Sequence, residues 1–206
     1  LRKYRIEVTC SITIYIIGRG DDFSGITVSM QGVGHVGQNL CKLLTDAGAA
    51  VFVADIKKSR VDYVVDTYGC TPMHDADILT NECDILAPCA LGSVIDGSLI
   101  PNLRCSIVCG AANNILGDPE EDAVALKTAG IVYGPDFVVN AGGLIHLAGM
   151  HLGMSDETLQ AKNDEIFETT AQILQRGEEM VSTYAAAVDI AEQRISGVQE
   201  TGIHAG

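Results

Sequence analysis

The feature that most constrains this chain is Gly32-Val33-Gly34-His35-Val36-Gly37, which stands between an apolar run and an amphipathic one. Ile26 to Met30 before it reads as a strand, and Val36, Leu40, Leu43 and Leu44 after it recur at helical spacing. A glycine loop joining a strand to a helix is compatible with few folds. Its first glycine permits a tight turn, its second lets backbone approach a diphosphate, and its third lets helix and strand pack closely. Free N–H groups and the dipole at the helix start then favour an anion. Asp55 ends the next apolar run, Ala50 to Ala54, 23 residues after Gly32. A carboxylate there accepts hydrogen bonds from the adenosine ribose of a dinucleotide. It also repels a 2′-phosphate, so NAD is expected over NADP, with Lys57 and Lys58 as the counter-argument. His35 reads as a solvent-facing member of the loop without a catalytic part.

The rest of the chain continues the alternation. A helix is expected over Lys58 to Tyr68, closed by Gly69, and another over Glu120 to Ala129, closed by Gly130. Asp84 to Ala87, Ser106 to Cys109 and Ile131 to Tyr133 read as short strands. This alternation predicts an α/β fold, a doubly wound Rossmann-like parallel sheet with C-terminal helices. Past Asn140 the pattern turns helical. Leu159, Ile166, Ile173 and Met180 recur every seven residues, with Phe167, Leu174 and Val181 alongside, which predicts one long helix followed by a shorter one over Ala185 to Ile195. Three segments are expected: a divergent start over 1–24, an NAD-binding domain over 25–150, and a helical part over 151–206.

Composition narrows the partners. A net charge of −14 over 206 residues excludes nucleic acid and anionic membranes as natural partners, because both need a basic surface. A bound dinucleotide is still allowed, since local backbone dipoles hold its phosphates. The longest apolar runs are about half a dozen residues, against roughly 20 for a membrane span. Leu1-Arg2-Lys3-Tyr4-Arg5 and Ile12 to Ile17 faintly resemble a signal peptide, but Glu7 interrupts them and no small-residue cleavage site follows. That start reads as a cut or altered end. The seven cysteines are odd in number and form no CxxC, so reduced thiols and a cytoplasmic location are expected. Cys105 and Cys109 fall on an apparent strand without tetrahedral partners, so no metal is expected.

Four segments together resemble the Glu/Leu/Phe/Val dehydrogenase family, in particular its branched-chain and aromatic members. They are Gln31 to Gly37, Cys83 to Gly92, Cys109-Gly-Ala-Ala-Asn-Asn114, and Gly134-Pro-Asp-Phe-Val-Val-Asn-Ala-Gly-Gly143. The resemblance implies reversible oxidative deamination of an L-amino acid to a 2-oxo acid and ammonia, with hydride passing to NAD, in a homo-oligomer when full length. It implies a cofactor set of Gly32, Gly34, His35, Val36, Gly37, Asp55 and Ile56, with Cys89 and Ala90 near the adenosine half. Ala111, Ala112 and Asn113 are implied near the nicotinamide, and Asn140 at its amide. Asn113 is also implied at the substrate carboxylate, and Leu144 and Leu147 at the substrate side chain. A turn role for both asparagines, and a plain core role for both leucines, are the competing readings.

The family's catalytic lysines and aspartate belong to an N-terminal substrate domain, and no lysine of this chain sits in a glycine-rich lysine motif. The resemblance therefore covers the cofactor half, and no catalytic residue is assigned. The isolated chain is expected to bind cofactor without turning over amino acids. Tyr4 to Ile17 reads as strand-like where the family has a helix, and His146 replaces an asparagine found in many relatives. A stand-alone, non-catalytic NAD-binding module is the alternative. A hydroxy-acid dehydrogenase is a third reading, for which His146 and His151 lack a carboxylate partner in the sequence.

Overall fold

A computed structural model describes residues 22–90 and 92–200, and the strand-like reading of Tyr4 to Ile17 lies outside them. Six parallel strands form one sheet in the order β3-β2-β1-β4-β5-β6. They are β1 (Thr27–Gln31), β2 (Ala50–Ala54), β3 (Thr71–Pro72), β4 (Ile85–Pro88), β5 (Ile107–Val108) and β6 (Val132–Tyr133). The connecting helices are α1 (His35–Asp46), α2 (Lys58–Tyr68) and α3 (Pro119–Thr128). After β6 come α4 (Asp136–Val139), α5 (Gly142–His151), α6 (Asp156–Glu179) and α7 (Thr183–Glu200). The doubly wound expectation holds, and this strand order reverses direction between β1 and β4.

Successive residues of a strand point to opposite faces, so a sheet covered on both sides needs apolar residues at every position. In β4, Ile85 and Ala87 join the core with Met30, Leu40 and Val53, while Leu86 joins Ile115, Leu116 and Leu126 on the other face. Phe23, ahead of the expected boundary at residue 25, is already buried in the first of these cores. The base of the switch point is tied by polar groups. The Thr27 N–H and hydroxyl both donate to the Asp84 carboxylate, at 2.8 and 2.7 Å. The Asp84 N–H donates back to the Thr27 hydroxyl oxygen at 2.9 Å.

The long apolar stripe is shorter than its pattern. Leu159, Ile166 and Ile173 are buried along α6, but the helix stops at Glu179, Met180 is only half-buried, and Val181 is exposed. Lys127 of α3 accounts for the stop. Its ammonium donates to the carbonyls of Gly177, Glu178 and Met180, neutralising the negative end of the α6 dipole. The chain then turns extended at Met180, and α7 runs from Thr183, longer than the expected Ala185 to Ile195. No described helix is long and apolar enough to cross a membrane.

Candidate functional site

The carboxyl ends of β1 and β4 lie side by side, with Gln31 registered against Pro88. Open parallel sheets bind ligands in the crevice above such a switch point. Gly32 follows β1 directly, with a φ of +91°, a conformation that side chains rarely adopt. A Cβ there would stand 2.6 Å from the Cβ of Ala90, so the loops after β1 and β4 touch because the first glycine is bare. At Gly37 a Cβ would meet the Gly32 carbonyl oxygen at 2.3 Å, which brings α1 close beneath the loop. Gly34 differs from both. Its nearest neighbour would be Nη1 of Arg60 at 3.9 Å, so the face above it is open to a ligand. Gly34 is also the N-cap of α1; no side chain caps that end and no acidic residue lies in its first turn. The first-turn N–H groups of α1 thus have no side-chain cap, and the space beside Gly34 is open, an arrangement suited to a diphosphate.

Asp55 closes this cradle from β2. Its carboxylate accepts the Val33 N–H at 2.9 Å and the Lys57 N–H at 2.8 Å, which fixes its orientation between the glycine loop and the start of α2. Arg60, in the first turn of α2, adds a longer contact at 3.4 Å. The side chain of Asp55 is only 5% exposed. Arg60 was not singled out from the sequence, although its place five residues after Asp55 sets it in the helical turn facing that strand end. His35 and Ile56 are exposed at the rim, Val36 is half-buried, Cys89 is half-buried and Ala90 exposed after β4.

A second cluster forms above β4 and β5. Ala111 and Ala112 are buried and Asn113 is exposed. Asn140, buried at the end of α4, donates through Nδ2 to the Ala112 carbonyl at 3.1 Å and to Asn113 Oδ1 at 2.6 Å. This hydrogen bond links two loop asparagines 27 residues apart in the chain. Its polarity has a consequence. The Ala112 carbonyl can only accept, so it fixes which end of the Asn140 amide points inward, and Asn113 must then turn its oxygen toward Asn140. Asn113 is left presenting an NH2 group outward, while the Asn140 carbonyl oxygen is the atom available to an outside donor.

Asp136 holds this cluster in place, another residue that sequence reasoning passed over. Buried at the start of α4, it accepts the Ile115 N–H and the Phe137 N–H, each at 2.7 Å, and so pins the Asn113 loop to the helix that carries Asn140. Burial first, and the Asp136 charge second, push the Tyr133 phenol well above its ordinary range, so it stays protonated beneath the loop. Leu144 and Leu147 lie on α5, 72% and 57% exposed, which removes the competing reading of both as core residues. His146 is half-buried on the same helix. Among the described residues no group of three or more His, Cys, Asp or Glu could hold a metal ion.

The switch-point crevice, glycine loop and strand-end carboxylate define a Rossmann-type α/β domain. Residues 52–204 match the sequence model of the Glutamate/Leucine/Phenylalanine/Valine dehydrogenases, and the chain belongs to that family. It is 40% identical over 184 residues to a leucine dehydrogenase of Thermoactinomyces intermedius, covering 88% of this chain and 50% of that protein. A valine dehydrogenase of Streptomyces virginiae is 41% identical over 178 residues, covering 84% of this chain and 49% of the relative. The crystal structure of L-tryptophan dehydrogenase from Nostoc punctiforme superposes with a TM-score of 0.88 at 32% identity, over 95% of this chain and 60% of that one. The chain thus spans about half the length of the curated relatives it matches.

Proposed function

We propose that this chain is the NAD-binding half of an L-amino-acid dehydrogenase that carries out reversible oxidative deamination of a branched-chain or aromatic amino acid. NAD, when bound, supplies the hydride acceptor. The chain's own residues do the holding. Gly32, Gly34 and Gly37 with the α1 N-terminus suit the diphosphate, and Asp55 suits the adenosine ribose. The outward NH2 of Asn113 suits a substrate carboxylate, which can only accept. The Asn140 carbonyl oxygen suits the NH2 of the nicotinamide amide. Leu144 and Leu147 offer apolar surface to a substrate side chain. The Asn140-to-Asn113 bond carries the reading, because it gives two amides opposite and complementary faces beside the cofactor cradle.

The odd number of cysteines and the lack of a CxxC pair suit a reducing, cytoplasmic setting. Exposed Ile195 on α7 and Val181 in the turn before it give this end of the chain apolar surface that a second copy would cover in a homo-oligomer. The test is a chimaera joining residues 22–206, which keep the buried Phe23, to the substrate domain of the Thermoactinomyces intermedius leucine dehydrogenase. NADH production on leucine, valine or phenylalanine, lost on Asn113→Leu, is expected. A correctly folded chimaera inactive on all three would refute the proposal.

A further inference from the structure

Arg60 stands where the dinucleotide reading leaves a choice open. Asp55 alone should reject a phosphate on the 2′-hydroxyl of the adenosine ribose. Yet this carboxylate is not alone. One of its oxygens is shared between the Val33 N–H and Nη1 of Arg60, the other is taken by the Lys57 N–H, and the side chain is 5% exposed. The Arg60 side chain is 40% exposed, and its Nη1 is also the nearest atom to the open face of Gly34. At 3.4 Å from Asp55 it spends one long contact there, and a guanidinium carries five N–H donors in a planar fork. Lys58 is committed to Asp62 at 2.6 Å, while the exposed Lys57 ammonium makes no hydrogen bond or ion pair with the described residues.

We propose that Arg60 is a specificity-determining residue that lets this site accept NADP as well as NAD, resting on the reading of the crevice as a dinucleotide site. With NAD bound, Arg60 stays on Asp55 and the ribose hydroxyls meet the carboxylate. With NADP bound, the guanidinium turns from Asp55 to the 2′-phosphate, which it can hold with two parallel hydrogen bonds. Asp55 keeps its two backbone donors throughout, so the exchange leaves no buried carboxylate unpaired. The charge of Arg60 offsets the repulsion that Asp55 exerts on the phosphate. Discrimination is therefore set by the Asp55–Arg60 pair and is modest.

The test is calorimetric titration of the full 206-residue chain with NAD and with NADP, for the unmodified protein, Arg60→Ala, Arg60→Lys and Lys57→Ala. The unmodified chain should prefer NAD by about tenfold, and Arg60→Ala should widen the gap by about ten- to hundredfold, because NADP binding falls further than NAD binding. Arg60→Lys should restore part of it, since an ammonium supplies charge without the fork. Lys57→Ala should move the gap by less than Arg60→Ala. Arg60→Ala sits in a half-exposed first helical turn and keeps the fold, which circular dichroism checks. An unchanged NAD-to-NADP ratio in Arg60→Ala, or an equal change in Lys57→Ala, overturns the assignment while leaving the dinucleotide site standing. Failure of both dinucleotides to bind the unmodified chain overturns the site and the assignment together.

Discussion

Replacing Asn140 by aspartate tests the amide polarity that the proposed function rests on. The substitution keeps shape and removes only the NH2, putting a carboxylate oxygen 3.1 Å from the Ala112 carbonyl and 2.6 Å from Asn113 Oδ1. Two hydrogen bonds disappear, worth about 1 kcal/mol each. A buried charge facing two acceptors costs several kcal/mol more, part of which Asn113 recovers, being exposed, by turning its amide to donate inward. The net loss at neutral pH is about 3 kcal/mol, or roughly 6–12 °C in Tm for a chain of this size. Asn140→Ala, which removes the same donors without adding charge, should lose about 2 kcal/mol. The introduced carboxyl is destabilised in its charged form, so its folded pKa rises above the unfolded one. Its neutral form is then favoured, and the deficit relative to the unmodified protein shrinks as pH falls toward 5. Thermal unfolding at pH 7.5 and 5 measures both effects. A deficit in Asn140→Asp below about 1 kcal/mol at pH 7.5, or one independent of pH, refutes the polarity argument.

Gly37→Ala drives a Cβ into the Gly32 carbonyl oxygen at 2.3 Å, so it should lose about 1–3 kcal/mol of stability together with NAD binding, read by urea unfolding and calorimetry. Lys127→Met leaves three carbonyls at the end of α6 without their cation and should cost about 1–2 kcal/mol, with faster amide exchange confined to residues around Met180. Burial pushes the Cys105 thiol from 9.0 up to about 12. A raised folded pKa gives stability that is complete below pH 9 and lost as pH rises toward 12, so Cys105→Ala should flatten the decline measured by unfolding between pH 8 and 10.5. In the chimaeric enzyme, Leu144→Ala opens an exposed apolar position and should raise activity on phenylalanine relative to leucine by about tenfold; an unchanged ratio removes Leu144 from the pocket.

Where local pattern and tertiary packing agreed, the sequence was readable residue by residue. The runs Ala50 to Ala54 and Lys58 to Tyr68 form β2 and α2 with the expected ends, because an unbroken apolar strand and a glycine in the left-handed conformation at position 69 each define a boundary locally. β3 was invisible: it is two exposed residues, one a proline, paired at the sheet edge. Val181 was misplaced because periodicity continues through a helix end that Lys127, over fifty residues earlier, determines. The glycine loop and Asp55 were legible since their spacing is itself the motif. The link between Asn113 and Asn140 was not, because it joins residues 27 apart through a fold contact. Asp136 and Arg60 act on backbone N–H groups and a neighbouring carboxylate, which leave no periodic trace.

The central claim is that the crevice above β1 and β4 holds NAD, and the most direct measurement is amide hydrogen exchange of the full chain with and without NAD. Saturable slowing is expected at Val33 to Gln38 around the α1 N-terminus, at Lys57 beside Asp55, and at Ala112 to Asn114, with α6 and α7 unchanged. Asp55→Ala should weaken the half-saturating concentration by about tenfold or more while protecting the same amides. Protection by NAD at α6 or α7 instead, or none anywhere at millimolar NAD, would contradict it.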